Sequence, residues 1–299
     1  MFILPSYTAA VICCIITMIC WGSWANTQKL AAAGWRFELF YWDYVIGIVV
    51  LSLVFAFTFG SMGDEGRPFL EDIRQATTGS LTSAWWGGVI FNAANILLGA
   101  AIAIAGMSVA FPVGIGLALV IGVVVNYAQA PEGNPLYLFG GVTLVGAAIL
   151  LNAKAYQRLQ KNSKSPARGI WLAVASGSLM GLFYQFVAAS MFTDFTMPEP
   201  GKLSPYSAVV VFSSGILISN FLFNTMLMKY PFTGVPVGYG DYVRGNIRSH
   251  TMGILGGVIW CIGMSLSIIA ADMAGPAISY GLGQGRNHPH RSGEEGGSR

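Results

Sequence analysis

Charged residues are scarce in this sequence. Only 10% of its 299 residues are Asp, Glu, Lys or Arg, whereas 54% are hydrophobic, and the mean hydropathy is +0.61. Because a soluble globular domain carries about 25% charged residues, this composition indicates a protein embedded in a lipid bilayer. The net charge of +3 is too small to indicate a nucleic-acid partner.

Cysteine and histidine are scarce as well. The four cysteines lie in apolar runs without disulfide or metal-ligand spacing, so we interpret them as small buried apolar side chains. His288 and His290 have the spacing of a weak metal pair, but a disordered tail explains them better. The sequence contains no nucleophile–base constellation, and we therefore expect no catalytic residue, no metal site, no cofactor and no enzyme.

Long apolar runs fill most of the chain. Since a bilayer crossing needs about 20 apolar residues, we predict eight full transmembrane helices and a partial ninth that begins near Met273. The eight lie near 7–28, 37–60, 83–104, 107–127, 135–154, 169–192, 205–228 and 251–271. The polar segment "DEGRPFLEDIRQA" is interpreted as either a short interfacial helix or a loop. No Lys or Arg precedes the first run, which indicates a retained helix rather than a signal peptide.

Lysine and arginine are divided unevenly between the predicted loops. One side of the membrane holds ten of them, at Lys29, Arg36, Lys154, Arg158, Lys161, Lys164, Arg168, Lys229, Arg244 and Arg248. The other side holds Arg67, Arg74 and Lys202. Because basic loops remain in the cytoplasm, the first side is predicted to be cytoplasmic and the N-terminus to lie outside. We expect a multi-pass protein of a bacterial inner membrane.

Two segments of the sequence align without a gap. "GGVIFNAANILLGAAIAIAGMSVAFPVGIG" begins at Gly87 and "GGVIWCIGMSLSIIAADMAGPAISYGLGQG" at Gly256, an offset of 169 with ten of 30 positions identical. Five predicted helices separate the copies, an odd number, so the second copy would be inverted in the membrane. Inverted repeats are typical of secondary transporters. A chance match between apolar segments is the alternative.

This repeat divides the chain into parts. We predict a first five-helix repeat over 1–155, a basic cytoplasmic loop over 156–168, an incomplete second repeat over 169–285 and a polar tail over 286–299. The first copy continues after Gly116 as "LALVIGVVVNY", whereas the second reads "RNHPHRSGEEG" after Gly285. The predicted fold is therefore an all-α polytopic membrane protein of two inverted five-helix repeats. The second repeat is expected to be truncated or altered by a frameshift.

Ionisable residues inside a membrane are costly and therefore point to function. Asp43, in "FELFYWDYVIG", lies about two turns inside the second predicted helix, and Lys29 and Glu38 flank the same end. We interpret Asp43, with Glu38 and Lys29 beside it, as a site for a coupling proton or sodium ion. A structural ion pair between Asp43 and Lys29 is the alternative.

Amide and aromatic side chains form a second group inside the predicted helices. Aromatic faces stack on sugar or base rings, and amides both donate and accept hydrogen bonds, so the group is typical of a site for a neutral polar ligand. Its members are Trp21, Trp24, Asn26, Asn92, Asn95, Tyr184, Gln185 and Gln284. Hydrogen bonding between helices is the alternative, which we favour for Asn220 and Asn224. Trp21 and Trp24 could instead lie at the membrane interface.

The motifs "CWGSWANTQKL", "FELFYWDYVIG" and "FPVGIGLAL", with the two "GGVI" helices, resemble those of the drug/metabolite transporter superfamily. The branch is that of glucose/ribose porters, L-rhamnose–proton symporters and ureide permeases, and the resemblance covers about 1–285. It implies ten helices in two inverted repeats, a central cavity and alternating access. Residues that the resemblance places near the cavity are Trp21, Trp24, Asn92, Asn95, Tyr184 and Gln185.

The resemblance implies a secondary carrier of a small polar solute, such as a sugar, a ureide or a nucleobase. Coupling to a proton or a sodium ion is expected through Asp43. The stretch from Trp42 to Tyr44 is similar to an aromatic–Asp–Tyr pattern of ureide-permease-like proteins. A truncated membrane protein that does not transport, or an interaction subunit, is the alternative. The surrounding bilayer is a required partner, and a homodimer is compatible with the sequence.

Overall fold

A computed structural model describes residues 1–63, 65–129, 131, 134–159 and 167–274, and these residues form a bundle of α-helices. The helices are α1 (Tyr7–Ser23), α2 (Asn26–Leu30), α3 (Phe37–Phe57), α4 (Phe69–Gln75), α5 (Thr78–Ala105), α6 (Met107–Gln129), α7 (Pro135–Leu159), α8 (Ala167–Ser190), α9 (Pro205–Lys229), α10 (Tyr239–Val243) and α11 (Ile247–Ala274). Over the described ranges the only β-type pairing is an isolated bridge between Met191 and Leu203. The expectation of an all-α chain is confirmed for this part of the sequence.

Within the described part of the chain, six helices are long and apolar enough to cross a membrane, namely α3, α5, α6, α8, α9 and α11. The apolar segments Tyr7–Ser23 and Pro135–Leu151 are shorter. This differs from the eight full spans predicted above. The predicted ninth run continues α11 as far as Ala274, and the rest of it lies outside the described residues.

The first predicted span, over 7–28, is interrupted in the structure. Helix α1 ends at Ser23, and the short helix α2 follows. The backbone N–H and the hydroxyl of Thr27 both donate to the carbonyl oxygen of Trp24, at 3.1 and 2.8 Å. The backbone N–H of Thr27 thus bonds three residues back rather than four, which makes a tighter turn between α1 and α2.

The polar segment after α3 is helical over Phe69–Gln75, so the loop interpretation is wrong. Asp72 in this helix is fully buried and accepts hydrogen bonds from the Arg67 guanidinium at 3.0 Å and from the backbone N–H of Ser204 at 2.7 Å. A buried carboxylate is stable in an apolar setting when both of its oxygens accept hydrogen bonds, as they do here. Helix α4 thereby fastens the connection after α3 to the start of α9.

The connections gather at two ends of the bundle. At one end, which we call the basic end, Arg36 donates to the carbonyl of Thr233 at 2.7 Å and Arg248 donates to that of Leu30 at 2.9 Å. At the opposite end, Arg67 donates to the carbonyl of Lys202 at 2.9 Å. These groupings follow the two sides predicted from the distribution of lysine and arginine.

Helices α3 and α11 cross in direct backbone contact. A Cβ added to Gly47 would overlap the carbonyl oxygen of Ile254, and one added to Gly257 would overlap that of Tyr44. Only glycine allows two helices to approach this closely. The crossing therefore depends on one glycine from each helix.

Helices α5 and α9 cross in the same way. A Cβ added to Gly88 would overlap the carbonyl oxygen of Phe212, and one added to Gly215 would overlap that of Trp85. Each of these four residues corresponds to one at the first crossing, with an offset of 169 between α5 and α11 and of 168 between α3 and α9. The same contact is thus built twice from two parts of the chain.

Candidate functional site

A cavity of about 250 Å³ lies between α1, α5, α6, α8 and α11. It is lined by Cys14, Thr17, Met18, Trp21, Gly22, Trp24, Phe91, Asn95, Leu98, Phe111, Ile115, Ala118, Leu119, Met180, Phe183 and Trp260. The wall is mostly apolar and aromatic with a few polar groups, which is the usual composition of a small-molecule site. We call it the central cavity.

Aromatic rings form one side of the central cavity. The ring of Trp260 lies 4.3 Å from that of Phe91 and is stacked on that of Trp21 at 6.2 Å. Trp24 contacts the ring of Tyr44 at 4.7 Å. The structure therefore places both predicted tryptophans of the first apolar run on the cavity wall, where their faces can stack on a planar solute.

A chain of buried polar groups leads away from the central cavity. Asn95, which lines the cavity, donates through Nδ2 to the hydroxyl of Tyr41 at 3.3 Å, and Tyr41 donates to Oδ1 of Asn92 at 2.9 Å. Asn92 is fully buried and donates to the hydroxyl of Ser219 at 2.8 Å. Asn95 is therefore the amide of the described chain that faces the cavity, whereas Asn92 lies behind the cavity wall and supports it.

Other predicted members of the solute site lie elsewhere. On α8 the cavity is lined by Met180 and Phe183. Since successive helical residues are rotated by about 100°, the next two side chains, Tyr184 and Gln185, leave the cavity. Tyr184 is fully buried, and Gln185 accepts a hydrogen bond from Gln129 at 2.6 Å.

Two further predicted site residues are also not part of the described cavity. Asn26 is exposed at the start of α2, after the interruption that follows α1. Gln284 lies outside the described residues. Asn224, for which bonding between helices was favoured, donates to the backbone carbonyl of Glu38 on α3 at 2.9 Å, as predicted.

Asp43 lies at the basic end of the crossing between α3 and α11, with only 2% of its surface exposed. Its carboxylate is 3.0 Å from Nδ1 of His250 and accepts a hydrogen bond from the hydroxyl of Tyr242 at 2.7 Å. Gly253 allows this approach, because a Cβ there would overlap that of Asp43. Burial raises the pKa of Tyr242, so its hydroxyl keeps its proton and remains a donor. We call these three side chains the Asp43 cluster.

The other two predicted coupling residues are not in the Asp43 cluster. Glu38 forms an ion pair with Arg36 at 2.7 Å, and Lys29 lies in the last turn of α2. The carboxylate of Asp43 contacts His250 rather than forming the predicted pair with Lys29. Sequence reasoning overlooked His250, although a histidine directly before an apolar run was a visible signal.

The described helices and their internal cavity define a polytopic membrane protein that can hold a small solute. Comparisons with known proteins point to the same class. A family model described as "Ureide permease" matches residues 40–166. Ureide permease 2 of Arabidopsis thaliana is 25% identical over 173 residues, which cover 56% of this chain and 44% of that protein.

Two further relatives have related names. Ureide permease 3 of Arabidopsis thaliana is 20% identical over 308 residues, which cover 93% of this chain and 89% of that protein. Probable ureide permease A3 of Vigna unguiculata is 30% identical over 155 residues, or 50% of this chain and 41% of that protein. The chain thus spans less than half of two of these three relatives. Together the similarities support a member of a transporter family.

Proposed function

We propose that this chain is a secondary transporter of a small, uncharged polar metabolite of the ureide type. The observation that carries the proposal is the central cavity, where aromatic faces surround a single amide, Asn95. None of its described lining residues is charged, which favours a neutral solute. A ureido group presents N–H and C=O groups in one plane, so it can stack on Trp21 or Trp260 and donate to Oδ1 of Asn95. The names of the relatives support this class above a sugar or a nucleobase.

We further propose that the chain contains an inverted repeat and works by alternating access, with the basic end in the cytoplasm. The matched glycine crossings support this, since they are the contacts that two-fold related halves would share. Phe91 and Trp260 correspond at the offset of 169, and their rings are 4.3 Å apart. Equivalent residues that touch each other lie close to an axis of two-fold symmetry. In such transporters the solute site lies at the interface between the repeats.

A proton is the coupling ion that the Asp43 cluster fits best. A carboxylate and an imidazole in contact can hold a proton on either group, so the pair can take up a proton and pass it on. Protonation of Asp43 removes the charge that holds His250 and the hydroxyl of Tyr242. The side chains of the Asp43 cluster offer a sodium ion only one carboxylate and one phenolic oxygen, whereas hard cations take several oxygen ligands.

Uptake by the purified 299-residue chain in proteoliposomes tests the proposal. Labelled hydantoin, the parent ring of the cyclic ureides, is compared with uracil and glucose. We expect saturable uptake of hydantoin, and a loss of at least tenfold in Asn95→Leu. The control is Asn126→Leu, because Asn126 is buried on α6, bonds to the Gly122 carbonyl of its own helix and does not line the cavity. That variant should retain uptake.

The possible failures of this assay differ in meaning. Saturable uptake of glucose or uracil without hydantoin would keep transport and overturn the ureide assignment. Saturable uptake of none of the three solutes would contradict transport and support a membrane protein that does not transport. Equal loss in Asn95→Leu and Asn126→Leu would remove Asn95 from the solute site.

A further inference from the structure

A second pocket, of about 330 Å³, lies at the basic end of the bundle. It is lined by Gln28, Gly34, Trp35, Arg36, Phe37, Glu38, Gly99, Ala100, Ala103, Leu227, Phe232 and Thr233. These residues come from α2, the connection between α2 and α3, the start of α3, the ends of α5 and α9 and the connection after α9. None of them lines the central cavity. We call this space the Arg36 pocket.

The Arg36 pocket is more polar than the central cavity and is electrically balanced. Arg36 donates to both carboxylate oxygens of Glu38, at 2.7 and 3.2 Å, and also to the carbonyls of Thr233 and Val235. Since its charge is already matched by Glu38, a charged ligand would leave one group without a partner. The pocket therefore favours a neutral ligand.

The remaining lining residues define the chemistry of that ligand. The amide of Gln28 both donates and accepts hydrogen bonds, and the carboxylate of Glu38 accepts them. Trp35 and Phe37 add aromatic faces for a planar group. A small planar molecule with alternating N–H and C=O groups satisfies all of these. The central cavity selects the same class through Asn95 and its tryptophans.

A row of aromatic rings separates the two spaces. Phe37, which lines the Arg36 pocket, lies 5.2 Å from Tyr41. Tyr41 lies 5.3 Å from Tyr44, which contacts Trp24 of the central cavity at 4.7 Å. The hydroxyl of Tyr41, inside this row, accepts a hydrogen bond from Asn95 of the central cavity.

Helix α5 forms the rest of the partition. Leu98 lines the central cavity and its neighbour Gly99 lines the Arg36 pocket. The ring of Phe37 packs directly on Gly99, since a Cβ there would overlap it. Helix α5 and one layer of aromatic rings thus stand between the two spaces.

We propose that the Arg36 pocket is a second binding site for the same uncharged, ureido-containing solute, on its route to the basic end. The Phe37–Tyr41 layer divides this site from the central cavity. The inference rests on the proposed transport of ureides. It predicts two binding events per chain, one in each space.

Equilibrium dialysis of the purified full chain with labelled hydantoin tests this directly. We expect two molecules bound per chain at saturation. Ala103→Trp, which fills the Arg36 pocket, and Asn95→Leu, which removes the amide of the central cavity, should each halve that number. Gln28→Leu should weaken only the event that Ala103→Trp removes. Ala103→Ser is the control, because it keeps the pocket open, and each variant is checked for monodisperse elution.

The outcomes separate this inference from the proposed function. One molecule bound per chain, lost in Asn95→Leu and unchanged in Ala103→Trp, would overturn the second site and leave ureide transport intact. No binding of hydantoin at all would overturn both. Two binding events that both survive Ala103→Trp and Gln28→Leu would show that the second site lies outside the Arg36 pocket, against the proposal.

Discussion

The crossing between α3 and α11 and the crossing between α5 and α9 share one backbone arrangement but differ in chemistry. Each has a glycine from either helix against a carbonyl of the other. The first contains Asp43 and His250. The corresponding positions at the second, at the same offsets, are Val211 and Leu81.

The second crossing shows that close packing of these helices does not need a charged cluster. That crossing contains glycines, apolar side chains and the uncharged bond from Asn92 to Ser219. A buried carboxylate in an apolar bundle is costly, and it is retained where it has a partner and a use. The difference between the crossings therefore favours a functional role for the Asp43 cluster above a structural one.

The largest expected effect comes from removing the charge that only one crossing has. Asp43→Asn should abolish accumulation of hydantoin against its gradient, because the site that exchanges the proton is gone. Its equilibrium binding of hydantoin should stay within about threefold of the parent protein, since Asp43 does not line either pocket and the amide keeps the shape. Flux assays and equilibrium dialysis measure the two quantities.

The control for this prediction is a variant of Val211, which corresponds to Asp43 at the second crossing. Val211→Leu changes an apolar side chain at the second crossing and should leave accumulation unchanged. Full accumulation by Asp43→Asn would make the Asp43 cluster structural.

A smaller effect, and an equal one at both crossings, is expected from the glycines. Gly257→Ala and Gly88→Ala each place a methyl group on a carbonyl oxygen of the neighbouring helix. Each should lower the free energy of unfolding by about 1–3 kcal/mol through displacement of the helices. Thermal unfolding in detergent measures the loss.

Gly140→Ala provides the matched control for the glycine variants. Gly140 lies in α7, and a Cβ there would meet nothing within 4 Å. The free energy of unfolding of this variant should be unchanged or slightly higher, since alanine is a better helix former than glycine. Tolerance of alanine at one crossing and intolerance at the other would show that the two contacts are not equivalent.

The smallest effect concerns two amides on α9. Asn224 donates to the Glu38 carbonyl, whereas Asn220 is fully buried and neither of its amide atoms has a hydrogen-bond partner among the described residues. Asn224→Leu should lower the free energy of unfolding by about 1 kcal/mol, and Asn220→Leu should leave it equal or raise it. Thermal unfolding of both variants decides this, and a clear loss in Asn220→Leu would contradict the prediction.

Sequence reasoning located most helices because long apolar runs are a strong signal. It misplaced the end of α1, since a tight turn from Trp24 to Thr27 separates α1 from α2 and hydropathy does not indicate such a turn. On α8 it predicted Tyr184 and Gln185 for the solute site, whereas Phe183, one or two residues earlier on the helix, lines the cavity. Polarity alone does not fix which face of an apolar helix is turned inward.

The partners of Asp43 could not be predicted from the sequence, because they are distant from this residue in the chain. His250 is 207 residues away in the chain, and the contact exists because Gly253 lets α11 approach α3. The Arg36 pocket is equally non-local, as it combines α2, α3, α5 and α9. Composition indicated a neutral polar solute, but only the fold shows which amides face a cavity.

The most direct test of the account is whether solute entry moves protons. Proteoliposomes containing the purified chain and a pH-sensitive dye inside are given hydantoin without any imposed gradient. We expect the lumen to acidify as hydantoin enters, and we expect no such change with Asp43→Asn. Entry of hydantoin without any proton movement in the parent protein would contradict proton coupling through the Asp43 cluster.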